Sequence, residues 1–222
     1  MAAYDSRKGP EFRISHMSDL FELHPKNPQV RLVRRAVEAV RAGGVIVYPT
    51  DSCYALGCAL GDKTAMERIA RIRETDKQHH FTLVCRDLSE IARYARVENW
   101  QYRLLKACTP GPYTFLLEAT REVPRRLQNP KRRTIGLRVP DHPVPLLLLQ
   151  ELGEPLMSST LHLPGDPYPL SDAHEIHARL RNDVDVVLDG GNCGLEPTTV
   201  VDLAGGAPVV VRVGKGEVAR LG

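Results

Sequence analysis

The sequence predicts a single α/β domain organised on a twisted sheet of mixed parallel and antiparallel strands. Short apolar runs alternate along the chain with stretches of helical period, and consecutive strand-like runs near the end add antiparallel pairing. The 222 residues, 42% hydrophobic and 26% charged, suit one globular domain able to bury its own core. Neither an internal repeat nor a Gly/Ser-rich linker divides the chain. Residues 1–16 have no apolar period and read as a vector-derived leader, which leaves 17–222 as the domain.

Taken in order, Phe21–Leu23 reads as a first strand. Asn27 then caps a helix with Pro28 at its first position, and Leu32, Val33, Ala36, Val37 and Val40 recur at helical spacing before Gly43 and Gly44 close it. Val45–Tyr48 forms a buried strand that Pro49 stops. A turn at Gly61-Asp62 leads into a helix over 63–73, followed by a polar loop over 74–80. Thr82–Cys85 is a strand, Asp87 caps the next helix with Glu90 completing a capping box, and 98–108 is helical. Thr109-Pro110-Gly111-Pro112 breaks that helix and launches strand Tyr113–Glu118. A basic stretch over 121–133, strand Thr134–Val139, a helix near 143–152 and strand Leu156–Ser159 follow. After a proline-rich loop over 160–171, Ser171 caps a helix over 172–182, and three strands lie near 185–188, 199–203 and 208–212.

The polar stretch Thr50-Asp51-Ser52 sits at the carboxyl end of a buried strand, where open α/β sheets place their ligands; a plain polar turn is the competing reading. Several chemistries are excluded. There is no phosphate-loop motif, no dinucleotide fingerprint and no nucleophile elbow. The five cysteines form no C-x-x-C pair, which argues against a disulfide framework and against a zinc site. Cys53 lies in the central loop without a histidine near it in sequence, so a nucleophile role is disfavoured. His174 and His177, without an acidic partner nearby, read as an exposed helix face rather than as metal ligands; no metal site is expected. No apolar run approaches the ~20 residues that cross a bilayer, and no secretory pattern is present, so a cytoplasmic protein is expected. Net charge is only +3, yet basic residues cluster at Arg31, Arg34 and Arg35, at Arg68 to Lys77, and from Arg121 to Arg133. Such clusters can hold a nucleotide or RNA, although most are merely solvated.

The segments GGVIVYPTDSCYALGC, RIR followed by FTLVCR, TPGPYTF, IGLRVPDHPV, EPLMSST, PTTVVDL and PVVVRVG occur in this order. They resemble the YrdC/YciO family, most closely its YciO branch, over nearly everything from Met17 to the end. The resemblance implies the YrdC-like fold, with a large basic concave face. It also implies a nucleotidyltransferase that makes threonylcarbamoyl-AMP from L-threonine, bicarbonate and ATP with magnesium, and so supplies a modified adenosine of transfer RNA.

Residue by residue, it implies that Ser52, Tyr54, Thr198 and Cys85 contact threonine. Arg71 and Arg73 would grip the triphosphate as the catalytic cations, with Thr114, Arg138, Thr160 and Arg212 completing the ATP site. Several positions depart from the synthase pattern: Arg71 replaces a lysine, His80-Phe81-Thr82 an Asn-Pro-Leu, Cys85 a histidine, and Thr160-Leu161-His162 a Ser-Ala-Asn. A second reading therefore stands beside the first: a YciO-type protein that binds a nucleotide or RNA (transfer or double-stranded) with little or no synthesis, using the 121–133 segment and Tyr102 and Tyr113 as stacking residues.

Overall fold

The computed structural model describes residues 17–74 and 81–221. The predicted leader, His79, His80 and most of the polar loop lie outside the described residues.

Strand β1 (Asp19–Glu22) leads to helix α1 (Val30–Arg41), which buries Val33, Ala36, Val37 and Val40 at the spacing the sequence predicts. Its start differs from expectation. The His24 Nδ1 accepts the amides of Lys26 and Asn27, at 3.3 and 3.1 Å, so a turn occupies the predicted cap and the helix begins later, behind Gln29. Strand β2 (Ile46–Tyr48) turns back into β3 (Ala55–Ala59), a strand that was not predicted; the two pair antiparallel with Tyr48 opposite Ala55.

Helix α2 (Lys63–Ile72) is capped by Asp62, whose carboxylate accepts the Ala65 amide at 2.9 Å. Strand β4 (Thr82–Val84) precedes α3 (Leu88–Tyr94), capped by Asp87; Glu90 reaches back to the amide of Arg86 rather than to that of Asp87. Helix α4 (Asn99–Cys108), strands β5 (Tyr113–Glu118) and β6 (Thr134–Arg138), and helix α5 (Pro143–Leu152) follow. Strand β7 (Leu156–Thr160) precedes α6 (Ala173–Leu180), which is capped by Asp172 rather than Ser171 because the Asp172 carboxylate accepts the Glu175 amide. Strands β8 (Val186–Asp189), β9 (Thr199–Asp202) and β10 (Val209–Arg212) complete the fold.

All ten strands join one mixed sheet in the order β1-β8-β2-β3-β7-β4-β6-β5-β9-β10. Four pairs are parallel (β1–β8, β2–β8, β4–β6, β5–β9) and the others antiparallel, three of them consecutive from β2 to β4. One core cluster packs α1 and α5 on Phe21, Ile46, Tyr48 and Leu188; the other gathers Val47, Leu56, Leu83, Phe115 and Leu137 with residues of α2, α3, α4 and α6. Among the described residues no helix is long and apolar enough to cross a membrane.

Candidate functional site

The turn between β2 and β3 is held by one hydroxyl. Thr50 Oγ1 donates to the Cys53 carbonyl at 2.6 Å and accepts the Ser52 amide at 3.1 Å. Two cations fasten the same turn from elsewhere in the chain: the Arg138 guanidinium pairs with the Asp51 carboxylate, and the Lys215 ammonium donates to the Asp51 carbonyl. Gly194 passes so close that a Cβ there would stand 2.7 Å from the Ser52 carbonyl oxygen. Ser52, Cys53 and Tyr54 are thereby presented to one wall of a cavity of about 490 Å³.

The rest of that cavity is assembled from distant parts of the sheet. Strand β7 contributes Ser158, Ser159 and Thr160. Arg73, just past the end of α2, hydrogen-bonds Ser159 Oγ. Thr114 on β5 and Thr198 before β9 meet hydroxyl to hydroxyl at 2.9 Å. Arg212, at the end of β10, donates to the Thr198 carbonyl at 2.9 Å and to its hydroxyl at 3.3 Å. Gly136 on β6 lets strands close beneath them, since a Cβ there would stand 3.2 Å from Thr82 Oγ1.

Electrostatics divide the three arginines of this cavity. Burial lowers the Arg73 guanidinium below its ordinary value, and the charge of Arg212 lowers it further; burial lowers Arg212 as well. Two cations that repel each other across a shared space favour an anion between them. Arg138 is balanced by Asp51, with both side chains about nine-tenths buried. The lining carries no carboxylate among the described residues, so a magnesium ion would fit here only if it came with a phosphate-bearing ligand.

Of the residues singled out from the sequence, Ser52, Tyr54, Arg73, Thr114, Arg138, Thr160, Thr198 and Arg212 line this one cavity. The Tyr54 hydroxyl is engaged elsewhere, donating to the Gly191 carbonyl at 2.8 Å. Two stand apart. Arg71 is exposed on α2, outside the lining, and Cys85 is wholly buried in the core, where burial raises its thiol well above the ordinary range. Cys53 reaches the cavity, but burial pushes its thiol up to about 11, which suits a neutral group and not a nucleophile.

Tyr113 is buried and stacked on Phe115 at 5.9 Å, so it offers no face to RNA, whereas Tyr102 is exposed. The basic stretch is partly self-satisfied, with Arg126 on the Gly61 carbonyl and Arg132 on Asp202. His174 lies 3.6 Å from the Asp189 carboxylate, His177 Nε2 bonds the Ser18 carbonyl, and no cluster of metal-ligating side chains occurs among the described residues. Sequence reasoning missed Ser159, Tyr168 and the fastening role of Lys215, although Ser159 lies inside the EPLMSST segment and Lys215 directly follows PVVVRVG.

Known proteins share this fold and much of this sequence. The family model Sua5_yciO_yrdC, described as telomere recombination, matches residues 38–214. The protein YciO of Escherichia coli (strain K12) is 57% identical over 202 residues, covering 91% of this chain and 98% of its own. Its crystal structure superposes with a TM-score of 0.89 over 92% of this chain and 100% of that one. A threonylcarbamoyl-AMP synthase of Chromobacterium violaceum is 32% identical over 183 residues, 82% of this chain and 94% of its own. P. abyssi Sua5, crystallised with L-threonine, shares the fold at a TM-score of 0.81 and 24% identity; 89% of this chain matches 58% of that one.

Proposed function

The chain belongs to the Sua5/YciO/YrdC family, and on that premise we propose that its cavity binds ATP and L-threonine and joins them, through threonine carbamate, into threonylcarbamoyl-AMP. The observation that carries this reading is the convergence of Arg73, Arg138 and Arg212 with the hydroxyls of Ser52, Thr114, Thr160 and Thr198 on one cavity. The threonine nitrogen attacks bicarbonate carbon, giving the carbamate and water. A carbamate oxygen then attacks the α-phosphorus as the bond to the bridging oxygen breaks and pyrophosphate leaves. A magnesium ion bound to the nucleotide phosphates would supply further neutralisation of their charge. Arg73 and Arg212 take up the charge that grows on the departing pyrophosphate, a role for fixed cations in phosphoryl-type transfer. Arg138, its charge balanced by Asp51, adds hydrogen-bond donors rather than net charge, which suits a carboxylate or carbamate oxygen. The hydroxyls orient the reactants, and no covalent protein nucleophile is required.

The product would supply the threonylcarbamoyl group of a transfer RNA adenosine. The test is pyrophosphate release from ATP, with magnesium and bicarbonate, with and without L-threonine. Release that needs both threonine and bicarbonate supports the reading, and Arg73→Ala should lower it roughly 10²–10³-fold with the fold intact. Release indifferent to threonine overturns it. A second reading, nucleotide binding with little turnover, is favoured by one observation: Cys85, which stands where the synthases have a threonine-contacting histidine, is sealed in the core. ATP binding without pyrophosphate release would assign it.

A further inference from the structure

The charged groups of the cavity are not evenly spread. Arg73, Arg138 and Arg212 supply its cations, whereas the loop after β7 lines it with His162, Pro167, Tyr168 and Pro169, and Leu195 adds an apolar side chain. Tyr168 is 64% exposed and Leu195 48%, an unusual outlay of apolar surface for residues that border a cavity. The loop is held in place from outside. The Asp166 carboxylate pairs with Arg179 on α6 at 2.9 Å, and the Leu161 amide donates to the Tyr54 carbonyl at 2.9 Å.

His162 is oriented by the same anchor. Its Nε2 lies 2.8 Å from the Asp166 carbonyl oxygen. A carbonyl can only accept, so Nε2 carries the proton, and in the neutral ring Nδ1 is left with a lone pair. Among the described residues no hydrogen bond to Nδ1 is made, and His162 lines the cavity. An aromatic ring and two prolines offer flat apolar surface, and a fixed acceptor beside them selects a partner with an N–H donor. A polyanion drawn to the arginines would leave its uncharged end for this rim.

Resting on the proposed nucleotide site, we infer that the 162–169 loop reads the base of the bound nucleotide. Tyr168 stacks on the ring and His162 Nδ1 accepts a hydrogen bond from its exocyclic amino group. The site therefore prefers an amino-bearing base such as adenine, and His162 is a specificity-determining residue.

The test compares binding of ATP, purine riboside triphosphate (hydrogen in place of the amino group) and inorganic tripolyphosphate, by calorimetry on the whole chain. One lost hydrogen bond to a fixed acceptor predicts roughly tenfold tighter binding of ATP than of the purine riboside analogue. His162→Ala should bring the two within about twofold while leaving tripolyphosphate binding unchanged, which also reports an intact fold. Tyr168→Ala should weaken both nucleotides about tenfold and alike, because stacking ignores the amino group. Equal binding of ATP and the analogue to the unaltered protein overturns the inference, as does a preference that survives His162→Ala. If tripolyphosphate binds as tightly as ATP, the base-reading loop is wrong and the anion site stands. If none of the three binds, it is the proposed function that fails.

Discussion

Asp51 pairs with Arg138 where the arginine side chain is only 8% exposed. The Asp51 Oδ2 and Arg138 Nε atoms are themselves buried without a hydrogen-bond partner among the described residues, so the pair stabilises less than its closeness suggests. Removing one member is another matter, because the other is then stranded. Asp51→Ala should destabilise the protein by about 3–5 kcal/mol, read from urea denaturation, and Asp51→Asn by less because the amide oxygen still accepts. Equal stability of Asp51→Ala and the unaltered protein would show that Arg138 finds another partner. At this scale the sequence was most informative where a motif fixed the neighbours: the cavity residues came from segments whose order resembles the family's. It was silent where a contact is made across the chain. Nothing in the local sequence says that Lys215 holds the turn at Asp51, and neither the burial of Cys85 nor the exposure of Arg71 is written in their immediate surroundings.

The elements that sequence periodicity revealed are those with long apolar stripes, such as α1, or strongly β-forming runs, such as β5 and β6. Strand β3 escaped because Ala-Leu-Gly-Cys-Ala has little β propensity. Its composition answers to its neighbours. A Cβ on Gly57 would come within 2.5 Å of Leu156 Cδ2 and 2.9 Å of Tyr48 Cε1, so the strand is small there in order to let both pack over it. Gly57→Ala should therefore cost about 1–3 kcal/mol by overpacking, measured by urea denaturation, rather than gain from the stiffer backbone.

Helix α5 offers a pH test. His142 caps it, its Nδ1 accepting the Val144 amide at 3.2 Å, and burial lowers the imidazole against the opposing pull of Asp51 and Asp141. A depressed folded-state value means the unfolded chain takes up the proton first. The stability is full above the unfolded value of about 6.5 and drains away as pH falls below it. His142→Asn keeps a side chain able to cap but removes the titration, so its melting temperature should fall less between pH 7.5 and 5.5. Identical falls in the two proteins would remove His142 from the acid response.

Alternation of strands and helices was enough to read the class of the whole molecule, but not the order of its sheet. That order is set by pairings between segments far apart in the chain, such as β1 with β8 and β5 with β9, which no local pattern encodes. It has a consequence for the candidate site. Arg212 sits on β10, the last strand of the sheet, paired on one side only to β9 and exposing Val209 and Val211 by 59% and 58%. An edge strand with one partner opens locally more readily than central ones, and each opening carries Arg212 away from Thr198. A nucleotide bound between Arg73 and Arg212 would oppose that motion. At 100 times its dissociation constant it adds about 2.7 kcal/mol to any opening that dismantles the site, or roughly 100-fold slower amide exchange. ATP should therefore slow hydrogen exchange in β10, in the turn over 50–54 and at the end of β7. The opposite edge, β1 and the first turn of α1, belongs to the other core cluster and frays without touching the cavity, so its exchange should keep its rate. Equal slowing at both edges would place the ligand elsewhere or make the sheet open as one unit, and unchanged exchange in β10 would release Arg212 from the site.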